Sequence, residues 1–141
     1  MKNMNPVVHF ELPYEDRDRM STFYETAFGW KANKLGEEMG NYVTVQTGET
    51  DKKNMLKKVG MINGGLYKKD ASKGALYPSL VLATDDIQAS MKKITEAGGK
   101  IQGEPMEIPG IGMFVGFIDT EGNSNSVLQP KSMEYSDHVN K

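Results

Sequence analysis

Hydrophobic and polar positions divide the chain into short apolar runs and two amphipathic stretches, each bounded by a residue that starts or stops an element. Pro6 to Leu12 is rich in Val and Phe and predicts a strand, closed by Pro13, which brings no amide donor to a ladder. Asp16 is placed to cap a helix, and Met20, Phe23, Tyr24 and Ala27 recur at i, i+3, i+4 and i+7 on one face of it. Gly29 stops that helix, since glycine turns left-handed at the C′ position at no steric cost. Trp30 to Leu35, Tyr42 to Thr47 and Val59 to Tyr67 then read as strands. Between the last two, Thr47 to Lys58 is dense in Lys, Asp, Glu and Thr and predicts a solvated loop; Lys68 to Gly74 suits a linker.

Beyond the linker the same grammar repeats. A strand from Tyr77 to Ala83 leads to a helix from Asp86, with Ile87, Met91 and Ile94 on its inner face and a stop at Gly98 and Gly99. Strands follow at Ile101 to Met106, Gly112 to Asp119 and Asn125 to Gln129, the last two joined by a turn at Glu121-Gly122-Asn123. A shift of 70 positions (82 − 12 = 86 − 16 = 70) lays Leu12 on Leu82, Asp16 on Asp86, Ala27 on Ala97 and Gly29 on Gly99. Strand end, helix cap, last helical turn and helix stop coincide. The prediction is an α+β fold, β-α-β-β-β written twice in one domain: a unit over about 6–68, a linker over 69–75, a unit over about 76–130 and a polar tail over 131–141. Each helix covers the outer face of a four-stranded sheet, and the curved sheets enclose a cleft, the usual place for a ligand.

Strand alternation assigns chemistry to the cleft side. If Phe10 and Leu12 pack under the first helix, His9 and Glu11 face the other way. The same reasoning turns Leu80 and Leu82 toward the second helix and leaves Ser79 and Val81 on the open side. His9 has the one imidazole pKa suited to proton transfer near neutrality, and Glu11 beside it is an orienting partner; the ordinary alternative is a strand histidine bonded to a neighbour. Trp30 and Tyr42 offer flat surfaces for a ligand to stack on, or packing for the core. Asp119 to Asn123 has too few spaced oxygens for a calcium loop and reads as a turn, while Gly64-Gly65 lacks the helix start of a phosphate cradle. The second histidine, His138, falls in the polar tail.

Composition narrows the function classes. With 141 residues the chain has the length of one ordinary domain, and its 17 basic and 19 acidic side chains (17 − 19 = −2) are scattered, not gathered into blocks. Neither nucleic acid nor a membrane is an expected partner, because both call for a basic surface or a long apolar run. The absence of cysteine removes disulfides, thiolate metal sites and cysteine nucleophiles. The expected setting is cytoplasmic.

The sequence resembles the vicinal oxygen chelate superfamily, which includes glyoxalase I, extradiol dioxygenases and bleomycin-resistance proteins. The resemblance rests on His9-Phe10-Glu11-Leu12, Asp16, Phe23-Tyr24, Phe28-Gly29-Trp30, Asp86-Ile87, Ala97-Gly98-Gly99 and Asp119 with Glu121-Gly122-Asn123, spread from Pro6 to Gln129. It implies a glyoxalase-like pair of units, often a homodimer, and a metal held by a His or similar residue on the first strand and a carboxylate on the last strand of each unit. His9 matches the first of these positions; the others fall on Ser79, Ser126 and the run Asn63-Gly64-Gly65-Leu66, which supply no imidazole or carboxylate. The expectation is therefore a small organic ligand held without metal or cofactor by His9, Glu11, Asn63, Ser79, Ser126, Trp30 and Tyr42. The alternatives are a metal-dependent lyase or dioxygenase with an unusual ligand set, and a scaffold for a partner protein.

Overall fold

The computed structural model describes residues 4–53 and 55–131, so His138 and the expected tail lie outside the described residues. The elements run β1 (Val7–Tyr14), α1 (Arg17–Phe28), β2 (Lys31–Lys34), β3 (Val43–Gln46), β4 (Asn63–Lys68), β5 (Ser79–Ala83), α2 (Ile87–Glu96), β6 (Lys100–Ile108), β7 (Gly112–Ile118) and β8 (Ser124–Pro130), with short 3-10 turns at Glu37–Met39 and Ala71–Lys73. This is an α+β fold with β-α-β-β-β occurring twice. The chain groups into two compact units, residues 9–78 and residues 79–131 with 4–8.

In the first unit the strands lie in the order β2-β3-β4-β1. β1 and β4 are parallel, with His9 opposite Asn63, Glu11 opposite Gly65 and Leu12 opposite Leu66; β3 runs antiparallel to β4, Val43 opposite Leu66 and Thr44 opposite Gly65. The Asp16 carboxylate accepts the Arg19 N–H at 3.0 Å and so caps α1. Gly29 ends it in the left-handed conformation, φ 72°, its N–H on the Glu25 carbonyl at 3.0 Å. Under the helix a buried cluster of Tyr14, Val43, Val45 and Leu66 packs against Phe10, Leu12, Met20, Trp30 and Ala32. Phe10 and Leu12 therefore point helixward, and strand pleating sends His9 and Glu11 to the opposite face.

Three expectations need correction. The buried stripe of α1 is not Met20, Phe23, Tyr24 and Ala27: Phe23 is 56% exposed and Ala27 is exposed, while Ser21 is buried. The sheet selects Arg17, Met20, Ser21 and Tyr24, an equally spaced stripe beside the predicted one, because Tyr24 stacks on Trp30 with ring centroids 4.6 Å apart and planes at 12°. Nor does Pro13 close β1, which continues to Tyr14. The Tyr14 carbonyl accepts Lys69 N–H on the β4 side, so on an extended chain the donor that Pro13 lacks would have pointed away from β4. Finally, β4 starts at Asn63 because Val59 is 73% exposed and Gly60, at φ 94°, breaks the extended run.

The second unit orders its strands β5-β8-β7-β6. β5 and β8 are parallel, Val81 opposite Ser126, and β7 brings Gly116 opposite the same Ser126. Asp86 caps α2 by accepting Ala89 N–H at 3.1 Å. Ile87, Val115 and Val127 form the core with Met91, Ile94, Ile101, Met113 and Phe117. The Asp119 carboxylate accepts the N–H groups of Glu121 at 2.8 Å and Asn123 at 2.9 Å, which makes 119–123 the tight turn expected. No helix among the described residues is long and apolar enough to cross a membrane.

Candidate functional site

The open face of the first unit carries three polar side chains in contact. His9 and Glu11 stand there on β1, two residues apart and hence on one side of the pleat. Tyr42, immediately before β3, shares their face, because it lies two residues from Thr44, which pairs with Gly65 opposite Glu11. Its hydroxyl lies 2.9 Å from His9 Nε2 and is also hydrogen-bonded to the Glu11 carboxylate. Gly65 makes this possible: a Cβ built there would collide with the Tyr42 hydroxyl and ring carbon. The phenol thus fills the volume that any side chain at 65 would take. Glycine here serves close approach, at a backbone conformation that other residues also adopt.

Burial sets the protonation of the group. Removal from water pushes the His9 imidazole down to about 4, so the ring is neutral at pH 7. The same loss of solvent raises the Glu11 carboxyl, and the Tyr42 hydrogen bond opposes that rise. Tyr42 is held protonated, first by burial and then by the charge of Glu11 and the hydrogen bond to it. Tyr67, on the same face of β4 as Gly65, is also raised by burial and by Glu11, while its own hydroxyl donates to the Tyr77 carbonyl at 2.5 Å. A phenol has one proton to give. With Glu11 ionised, that proton goes to the carboxylate and His9 must donate Nε2–H to the phenol oxygen, which leaves a lone pair on Nδ1. With Glu11 protonated, the string can reverse.

The remaining expected residues divide. Asn63 is opposite His9, and its Oδ1 accepts Thr47 N–H at 2.9 Å, tying the end of β3 to β4. Trp30, expected as a stacking surface for a ligand, belongs to the helix-side core instead: it stacks on Tyr24 and tilts against Phe10, the neighbour of His9 that faces the other way. Tyr42, expected to stack, contributes its hydroxyl. Glu11, expected to orient His9, reaches it through Tyr42. In the second unit the Ser79 hydroxyl donates to the Ser124 carbonyl at 2.9 Å, and Ser126 is buried opposite Val81.

These residues do not fit the metal that the resemblance implies. His9 Nε2 is engaged by Tyr42, position 65 has no side chain, and the two serines are neutral oxygens. Among the described residues no three His, Cys, Asp or Glu side chains gather to hold an ion.

The profile of the family described as bleomycin resistance protein-like N-terminal matches residues 7–48, the stretch that carries His9, Glu11 and Tyr42. An Arabidopsis thaliana protein bearing the name of a chloroplastic lactoylglutathione lyase is 32% identical over 109 residues, 75% of this chain and 30% of that one. A Mycobacterium tuberculosis protein named as the glyoxylase CFP32 is 27% identical over 121 residues, 85% of this chain and 42% of that one. This chain therefore spans less than half the length of either relative. Among solved structures, a Streptomyces coelicolor methylmalonyl-CoA epimerase superposes with a TM-score of 0.66 at 14% identity, covering 92% of this chain and all of that one, a likeness of fold.

Proposed function

We propose that this chain, which belongs to the vicinal oxygen chelate superfamily, binds a small organic molecule on the face of its first unit opposite the helix through His9, Tyr42 and Glu11, without the metal that the resemblance implies. The observation that carries the reading is the 2.9 Å contact of His9 Nε2 with a phenol that also bonds Glu11. Polar groups partly removed from water on the sheet face opposite the helix cost free energy unless they are paired, and this string pairs them while leaving His9 Nδ1 and carboxylate lone pairs for a ligand. No ion pair involving Glu11 is present among the described residues. A ligand with hydrogen-bond donors and no negative charge suits such a face better than an acid. Proton transfer at this string would use Glu11, whose raised pKa makes it a stronger base than an ordinary carboxylate; His9, at about 4, is too weak a base near neutrality and serves as a donor.

A thermal-shift screen of neutral and cationic organic compounds tests the proposal, followed by titration calorimetry on Tyr42→Phe. Binding that weakens tenfold or more on loss of the hydroxyl, worth roughly 1.4 kcal/mol, supports it. Ligands that bind Tyr42→Phe as well as the wild type would remove the site. Elemental analysis of protein purified without chelator decides the alternative: one transition metal per chain, released by His9→Ala, would favour a metal-dependent lyase. The homodimer implied by the resemblance belongs to the proposal too, and a monomer mass at every concentration in light scattering would exclude it.

A further inference from the structure

Tyr42 does not reach His9 by chance of rotamer, because its backbone is tied down from the other side of the sheet. The residue before it, Asn41, has φ 57° and is the one non-glycine residue with positive φ among the described residues. Asn adopts this conformation more readily than most side chains, and bonds from its surroundings hold it there. The support is visible: the Asn41 carbonyl accepts the Tyr14 hydroxyl at 2.9 Å and Arg17 Nη1 at 3.4 Å, and the same Arg17 nitrogen donates to the Leu35 carbonyl at 2.8 Å. Leu35 N–H in turn donates to the Tyr42 carbonyl at 2.8 Å, and Asn41 N–H to the Gly36 carbonyl at 3.0 Å. Arg17 can do this because Asp16 caps α1 and so makes Arg17 its first residue. A guanidinium carries several N–H donors in a rigid plane and can hold two carbonyls at once.

We infer that Arg17 is a positioning residue for the candidate site: by clamping the carbonyls of Leu35 and Asn41 it sets the backbone of Tyr42 so that the hydroxyl meets His9 and Glu11 across Gly65. Tyr14 is its helper at Asn41. The inference rests on the reading of His9, Tyr42 and Glu11 as the site, yet its claim concerns the geometry of Tyr42 and can be read without a ligand.

The experiment is long-range proton–nitrogen NMR of the His9 ring, assigned with His9→Gln, on the wild type and four variants. Tyr42→Phe supplies the signature of a lost His9–Tyr42 hydrogen bond. Arg17→Ala is expected to move the His9 ring nitrogens and the titration midpoint most of the way to that signature, and Arg17→Lys, which keeps a donor, to recover part of the shift. Arg17→Ala with a folded spectrum and wild-type His9 signals would overturn the inference. If Arg17→Ala does not fold, Tyr14→Phe decides by the same comparison, since it removes a donor from Asn41 and keeps the ring. A His9 signature that follows Arg17, alongside ligand binding indifferent to Tyr42→Phe, would uphold the clamp and sink the proposed function, so the two failures are told apart.

Discussion

The two units repeat one architecture and differ in what their open faces carry. Where the first unit sets Glu11 opposite Gly65, with Thr44 on the far side of Gly65, the second sets Val81 opposite Ser126, with Gly116 on the far side of Ser126. One face has a histidine, a carboxylate and a phenol in contact; the corresponding positions of the other, Ser79, Val81 and Phe114, offer a hydroxyl, a valine and a ring without a hydroxyl. The helix-side cores, by contrast, are apolar in both units, with Tyr14, Phe10 and Trp30 among Val, Leu and Met in the first and mainly Ile, Val and Met in the second. Packing asks only that the helix side be apolar in each unit, which leaves the opposite face free to differ in chemistry.

The sharpest break in this comparison should come from the core. Leu66 is 0% exposed, and Leu66→Ala is expected to cost about 2–5 kcal/mol in denaturant unfolding, a large-to-small change with little room to relax. Next in size is the glycine contrast. Gly65→Ala must displace Tyr42 and is expected to destabilise by roughly 1–3 kcal/mol, as overpacking does. Gly116→Ala has its tightest contact with the Gln102 side-chain oxygen at 3.2 Å, which need shift only slightly within its bond from the Ser124 hydroxyl, so it should cost well under that. Equal costs at the two glycines, measured by chemical melts, would mean that Tyr42 does not hold the position described.

Acid should act on the first unit in a way the second cannot match. The imidazole of His9 is lowered from 6.5 to about 4, so its neutral form contributes stability that is complete above pH 6.5 and is lost as pH falls toward 4, where the unfolded chain binds a proton and the folded one does not. The loss is on the order of 3 kcal/mol at most. Glu11 runs the other way: with its folded pKa raised, stability declines as pH rises from the ordinary carboxylate value through the raised one. Unfolding free energy followed against pH should therefore flatten on the acid side in His9→Gln and lose its decline with rising pH in Glu11→Gln. Retention of the wild-type profile in both variants would contradict the burial of the pair.

The smallest effect is at the helix caps. Asp16→Ala and Asp86→Ala each remove one capping bond and should cost roughly 0.5–2 kcal/mol. Only the first is expected to disturb the His9 ring signals, through the placement of Arg17 at the helix start. Matching disturbance from Asp86→Ala would show that the caps act through global stability alone.

Much of this molecule is legible in its residues because the devices involved are local. Asp16, Gly29 and Asp86 bound helices through bonds to amides and carbonyls within four residues, so their sequence neighbourhoods suffice to identify them. Period-two alternation likewise separates His9 and Glu11 from Phe10 and Leu12 without any knowledge of what the strand packs on. The stripe of α1 was not decidable that way, since Phe23 and Ala27 on one side and Arg17 and Ser21 on the other flank Met20 and Tyr24 at the same spacing, and the sheet beneath chooses between them. Trp30 posed the same difficulty, its place fixed by Tyr24 and Phe10. What only the tertiary structure decided is the bond from Tyr42 to His9, 33 residues away, and the reach of Arg17 to Asn41 that accompanies it. Such contacts depend on strand register, on a glycine that leaves space for a ring and on one left-handed residue in a loop, and none of these is a property of any short run of sequence.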